Sequence, residues 1–142
     1  MAIVEWSDDF NTGVPDIDME HRQLFALIND FHDKFLNGSA DTAIKAAIDA
    51  LVGYVDYHFT REEALLDACR YQGTEDHKRQ HRELREQIEW YRKSYIEAPA
   101  EFDFKDFVNF LVYWVESHIT VTDMGYVPSV QSFVGLVSDP ST

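Results

Sequence analysis

The sequence predicts an all-α fold: an up-down-up-down antiparallel four-helix bundle with an irregular N-terminal arm and a short C-terminal tail. Two observations predict it. Apolar residues recur at helical spacing through four long segments, and no alternating strand pattern competes with them. The segments are joined by short breaks rich in Gly, Pro, Ser and Asp, which turn each helix back alongside the one before it. The chain shows no internal repeat and no low-complexity segment. It reads as one domain over residues 1–142, with an arm at 1–17, a bundle at 18–124 and a tail at 125–142.

The arm contains "NTGVPDID", where Gly13 and Pro15 interrupt regular structure, and Asp16 or Asp18 caps the first helix. Leu24, Leu27, Ile28, Phe31 and Phe35 then form its apolar stripe. "NGSAD" at 37–41 supplies a glycine stop and a new cap. The second helix covers about 41–68, with Ile44, Ile48, Leu51, Val55 and Phe59 on one face. "RYQGTED" ends it, and Thr74 is the expected cap of a third helix at about 75–96. "EAPAEFD" separates that from a fourth at about 103–122, which turns Phe107, Phe110, Leu111, Trp114 and Val115 inward. In the tail, Val127, Val130, Val134 and Val137 sit at helical spacing behind Pro128. That pattern suits a short helix on the bundle, a loose end or a partner contact.

A chain of 142 residues that is 45% hydrophobic and 14% aromatic is long and apolar enough for a substantial core. Its 12 basic and 26 acidic residues give a formal net charge of −14, which disfavours nucleic acid and anionic membranes as partners. Cys69 is the only cysteine, so no intrachain disulfide forms, and a reducing, cytoplasmic setting is expected. It reads as a small apolar packing residue. No apolar run is long enough to span a membrane, and "MAIVEWSDDF" lacks the basic start and apolar run of a signal peptide.

The histidines carry the chemistry. "HFTRE" puts His58 and Glu62 one turn apart on one helix face, and "HKRQH" does the same for His77 and His81. "HITVTD" places His118 five residues before Asp123, and His21 opens the first helix. Taken singly, each reads as an ordinary solvated helix residue. Taken together, they agree in depth. His21, His77 and His81 lie near helix starts, while His58, Glu62, His118 and Asp123 lie near helix ends. In an antiparallel bundle those starts and ends share one end of the molecule. Five imidazoles and two carboxylates exceed one tetrahedral zinc site and suit two octahedral first-row ions bridged by the carboxylates. His32 is excluded, because it lies about 16 Å along the axis from His21. It is expected to be a core or rim histidine with a hydrogen-bond partner.

The His118–Asp123 spacing does not fit a regular helix, since five residues turn the side chain away by about 140°. The β-branched run "ITVT" weakens the helix there, and a π-type bulge or a terminating turn would bring Asp123 back to the site.

The pattern H…HxxxE…HxxxH…HxxxxD resembles that of the hemerythrins, and of the bacterial hemerythrins in particular. Every ligand position is present in order, and the arm "VEWSDDFNTGVPDIDMEH" resembles the family's N-terminal signature, so the likeness covers about residues 4–126. The resemblance implies a non-haem di-iron centre. His77, His81 and His118 would bind one iron and His21 and His58 the other. Glu62 and Asp123 would bridge them together with an oxo or hydroxo group. The iron with two histidines would keep an open position for end-on, reversible O2 binding. This implies a non-enzymatic role in oxygen transport, storage or delivery. Phe59, Trp114, Val115 and Ile119 flank the ligands and are the candidate walls of a dry O2 pocket.

The chain departs from the family in having Val115 where Leu is common and Met124 where Lys is frequent. Two other functions remain in view: an oxygen or redox sensor acting through the arm or tail, and an oxygen-activating di-iron enzyme. Such enzymes use more carboxylate and Glu-x-x-His pairs, and this chain contains no Glu-x-x-His. O2 is the expected ligand, the protein is expected to be a monomer, and any oxygen-consuming partner is unidentified.

Overall fold

The computed structural model of the chain describes residues 3–138. Its α-helices are α1 (Pro15–Leu36), α2 (Asp41–Cys69), α3 (Thr74–Glu97), α4 (Phe104–Ser117) and α5 (Val127–Ser138). Short 3-10 turns occupy Asp8–Phe10 and Pro99–Glu101. A π turn at His118–Thr122 and a 3-10 turn at Asp123–Tyr126 link α4 to α5. No strand occurs among the described residues.

The first four helices form the expected antiparallel bundle. At one end, the close of α1 meets the start of α4, with the Phe35 and Phe104 rings stacked at 3.9 Å. There too the Tyr95 hydroxyl, late in α3, donates to Asp41 Oδ1 at the start of α2. His21, His58, His77 and His118 meet at the opposite end. The stripe residues Leu24, Ile28, Phe31, Ile44, Ile48, Leu51, Val55, Phe59, Phe107, Leu111 and Val115 are all buried in one apolar core.

Several helix ends differ from expectation, because the expected capping side chain bonds elsewhere or backbone groups take its place. Helix α1 begins at Pro15, before the expected boundary at residue 17, and neither Asp16 nor Asp18 caps it. Pro15 suits a first turn, where its missing N–H has no partner to lose. Asp18 lies inside the helix and reaches back, accepting from Thr12 N at 2.9 Å, Thr12 Oγ1 at 2.7 Å and Gly13 N at 3.2 Å. Gly13 has φ +78, and a Cβ there would lie 2.7 Å from Gln131 Nε2, which itself donates to Thr12 O. Arm and α5 are thereby laced together.

Helix α1 stops as expected at glycine. Gly38, with φ +66, donates to Phe35 O, and Ser39 N donates to Lys34 O, the paired bonds of a left-handed helix end. The expected side-chain cap on α2 is absent: Ala40 holds that place, and its carbonyl accepts from Ala43 N and Ile44 N. Thr74 is the first residue of α3 rather than its cap, and its hydroxyl donates to Tyr71 O at 2.6 Å. Asp103 does cap α4, accepting from Asp106 N.

The tail forms a helix. Val130 on α5 packs with Val14, Ile17, Leu66 and Tyr126 in a second, smaller core, flanked by Val134 and Cys69. The Val137 side chain lies outside the described residues. Helix α5 thus covers the end of the bundle where the histidines gather. No helix among the described residues is long and apolar enough to cross a membrane.

Candidate metal centre

The chain path brings all seven expected groups together, each at most 6% exposed: His21, His58, Glu62, His77, His81, His118 and Asp123. Asp123 arrives through the π turn. Its N–H bonds to His118 O, five residues back, and this widened turn swings the carboxylate to 3.0 Å from His118 Nε2. The β-branched run that weakens the α-helix here therefore has a structural outcome at the site.

The two carboxylates divide the imidazoles into two groups. Glu62 Oε1 lies 2.6 Å from His77 Nε2 and 3.0 Å from His81 Nε2. Asp123 Oδ1 lies 3.3 Å from His77 Nε2 and 3.0 Å from His118 Nε2. The other oxygens face the other rings: Glu62 Oε2 is 3.4 Å from His58 Nε2 and 3.7 Å from His21 Nε2, and Asp123 Oδ2 is 3.2 Å from His21 Nε2. Two clusters able to hold a metal ion result: Glu62, His77, His81 and His118, and His21, His58, Glu62 and Asp123. Within each, the ligand atoms lie within 4.8 Å of one another.

These atoms are close but mostly not aligned as hydrogen bonds. The buried atoms His21 Nε2, His81 Nε2, His118 Nε2, Asp123 Oδ1 and Asp123 Oδ2 have no hydrogen-bond partner. Leaving so many buried polar atoms unsatisfied is costly unless a cation meets them. The donor set, imidazole nitrogen with carboxylate oxygen, suits first-row divalent and trivalent ions. The residues present therefore fit a metal centre.

Electrostatics agree with that fit. Burial would raise Glu62, but the charge of His58 and the close approach of His21 and His77 hold it well below the usual carboxylate range. Burial and the Glu62 charge would raise Asp123, but the charge of His118 lowers it. Burial opposes charge on His58, yet Glu62 and Glu20 outweigh it and push His58 up to about 10. His77 rises to about 9 against the same opposition, through Asp123 and Glu62. Burial dominates at His81 and lowers it.

Further residues complete the site, and sequence reasoning missed them. Glu20 Oε1 lies 2.9 Å from His58 Nδ1, and Glu63 Oε2 lies 2.9 Å from His81 Nδ1. Such contacts fix which ring nitrogen faces inward. The fully buried Tyr126 donates its hydroxyl to Glu62 Oε2 at 3.0 Å. The only sequence signal for the outer carboxylates is an acidic residue adjoining a ligand, at Glu20 beside His21 and Glu63 beside Glu62. Tyr126 has none.

The candidate pocket residues Phe59, Trp114, Val115 and Ile119 are all buried in the main core. Phe59 stacks on His81 at 3.7 Å, and its ring centroid lies 5.9 Å from that of His58, so it touches both groups of rings. Trp114 meets Phe59 edge-on at 5.9 Å. Met124 is half-buried in the 3-10 turn beyond Asp123. His32 lies outside the cluster. Its ring stacks on Phe104 at 5.7 Å, and the expected hydrogen bond is missing at Nδ1, which approaches Asp33 Oδ1 only to 3.8 Å. Cys69 packs as expected, half-buried beside the second core.

Comparison with known proteins matches this geometry. The sequence pattern of the hemerythrin HHE cation binding domain fits residues 12–130. Bacteriohemerythrin from Pseudomonas aeruginosa is 34% identical over 99% of this chain and 91% of its own length. Myohemerythrin-1 from Phascolopsis gouldii is 25% identical over 85% of this chain and 89% of its own. A crystal structure of a hemerythrin with a leucine-to-tyrosine substitution superposes with a TM-score of 0.84 at 29% identity, covering 92% of this chain and 98% of that one. The chain belongs to the hemerythrin family.

Proposed function

We propose that the protein binds O2 reversibly at a non-haem di-iron centre and serves oxygen transport, storage or delivery. The observation that carries the reading is the division of the imidazoles by the two carboxylates. His77, His81 and His118 with Glu62 Oε1 and Asp123 Oδ1 supply five donors to one iron. His21 and His58 with Glu62 Oε2 and Asp123 Oδ2 supply four to the other. With a solvent-derived oxo or hydroxo bridge, these donors would fill six positions on the first and leave one open on the second. Such a centre, when bound, would supply the two electrons that O2 takes up and returns on release.

The chain's own residues bind the metals, hold His58 and His81 in the required tautomer through Glu20 and Glu63, and exclude water. Phe59, Trp114, Val115 and Ile119 line the site with apolar atoms. A dry pocket resists the proton and anion entry that would make oxidation one-way. Five imidazoles with only two carboxylates favour a carrier over an oxygen-activating enzyme. We read the chain as one hemerythrin-like domain acting as a monomer in the cytoplasm, with O2 as ligand and an unidentified oxygen-consuming partner.

One observation favours a sensor as the second reading. Tyr126, at the root of α5, is bonded to Glu62, so a change at the centre has a direct route to the surface helix. Metal analysis tests the di-iron reading. The expected result is about two irons per chain, whereas a single zinc in protein prepared with ample iron contradicts it.

A further inference from the structure

Two imidazoles, one in each group, are backed by a carboxylate that an arginine also holds. Glu20 Oε1 faces His58 Nδ1 at 2.9 Å, while Glu20 Oε2 receives Arg61 Nε at 2.8 Å. Across the centre, Glu63 Oε2 lies 2.9 Å from His81 Nδ1 and 3.3 Å from Arg85 Nη1. Arg61 also donates to the Tyr57 hydroxyl, and Arg85 Nε donates to Asp56 Oδ1. The rings are buried, with 2% of the His58 side chain and none of the His81 side chain exposed.

An imidazole that donates its outer N–H to a carboxylate gains anionic character, and its inner nitrogen becomes a stronger ligand. A stronger, more anionic ligand set favours the ferric over the ferrous ion. An arginine on the same carboxylate draws charge away from the ring and works in the opposite sense. We propose that Glu20 and Arg61 are positioning residues that set the reduction potential of the iron held by His21 and His58. Glu20 lowers it through His58, and Arg61 raises it through Glu20. Glu63 and Arg85 act likewise through His81. The result is iron that reduces bound O2 yet takes its electrons back. This inference rests on the di-iron reading.

The two partners differ in weight. The Glu20 side chain is only 13% exposed, whereas that of Arg61 is 51% exposed, so solvent screens the arginine more. Removing Glu20's charge is therefore expected to have the larger effect.

The test is spectroelectrochemical titration of the full-length, iron-loaded protein and four variants, Glu20→Gln, Glu20→Asp, Arg61→Gln and Arg85→Gln, with iron content measured first. Glu20→Gln is expected to raise the midpoint potential, and Arg61→Gln to lower it by less. Glu20→Asp keeps the charge but draws the carboxylate back from His58, so it is expected to shift the potential upward, as Gln does. An effect of bare charge would leave Glu20→Asp at the parent value, and a purely structural role would move Glu20→Gln and Arg61→Gln in the same direction. Either result overturns the proposal. If Glu20→Gln loses its iron, the downward shifts expected for Arg61→Gln and Arg85→Gln decide the matter. An unsubstituted chain with no di-iron centre overturns the functional reading and the proposal with it. A full iron content with the wrong shifts overturns the proposal alone.

Discussion

The Tyr126 hydroxyl donates to Glu62 Oε2 across 3.0 Å, and both side chains are buried. This bond ties the root of α5 to a carboxylate that faces both groups of imidazoles. It also unites two features that lie 64 residues apart in sequence. Tyr126→Phe keeps the ring and removes the donor. It is expected to destabilise the protein by about 0.5–1.5 kcal/mol, the usual net worth of such a bond. Amide exchange in α5 should quicken while that in α1 to α3 stays as in the parent. Unchanged exchange in α5 would show that the bond does not hold the helix.

The ligand set has a clean internal control. His77 contacts both carboxylates, whereas His32 stacks on Phe104 away from the centre. His77→Ala is expected to lower iron content, and His32→Ala to leave it unchanged even if the fold loses some stability. Iron loss in His32→Ala alone would contradict the assignment.

Val115 is 1% exposed and one helical turn before His118. In the proposed reading Val115 walls the O2 pocket, and leucine would fill more of it. Val115→Leu is expected to slow autoxidation of the oxygenated protein and azide binding to the diferric protein. Overpacking could cost about 1–3 kcal/mol, so iron content and folding are checked in the same sample. Decay as fast as in the parent, at full iron content, would show that this side chain does not limit access.

Metal loading is expected to release protons near neutral pH. Without metal, burial opposes charge on both rings, yet Glu62 and Glu20 push His58 up to about 10, and Asp123 and Glu62 push His77 up to about 9, from the ordinary 6.5. The stabilisation from their charged forms is fully present below 6.5 and is lost as pH rises through 9 and 10. Iron needs the neutral rings, so binding at pH below those values must expel their protons. Indicator dye in weak buffer should record acidification on ferrous addition, falling away above about pH 10. Equal release at neutral and strongly alkaline pH would contradict this.

The bundle was legible in sequence because each helix repeats its apolar stripe, as in Ile44, Ile48, Leu51 and Val55, over several turns. The gathering of His21, His58, Glu62, His77, His81, His118 and Asp123 was legible because metal coordination demands particular residue types at helical spacing. The one irregular interval, His118 to Asp123, called for a π-type bulge or a terminating turn, and the structure has a π turn there. Part of what escaped was decided between segments distant in the chain, as where Glu20 meets His58, 38 positions further on. The rest turned on the local path of the arm: Asp18 abandons a cap role because Thr12 and Gly13 fold back onto it. The tail gave a helical period, but only the second core of Leu66, Tyr126 and Val130 determines where α5 lies.

The most direct test of the central claim is repeated oxygenation of the diferrous protein, followed by absorption spectroscopy through several cycles of air and vacuum. The expected result is a ferric charge-transfer spectrum that appears on exposure to O2 and disappears on its removal, at about two irons per chain. A spectrum that appears once and persists after O2 is withdrawn, in fully loaded and freshly reduced protein, would contradict reversible binding.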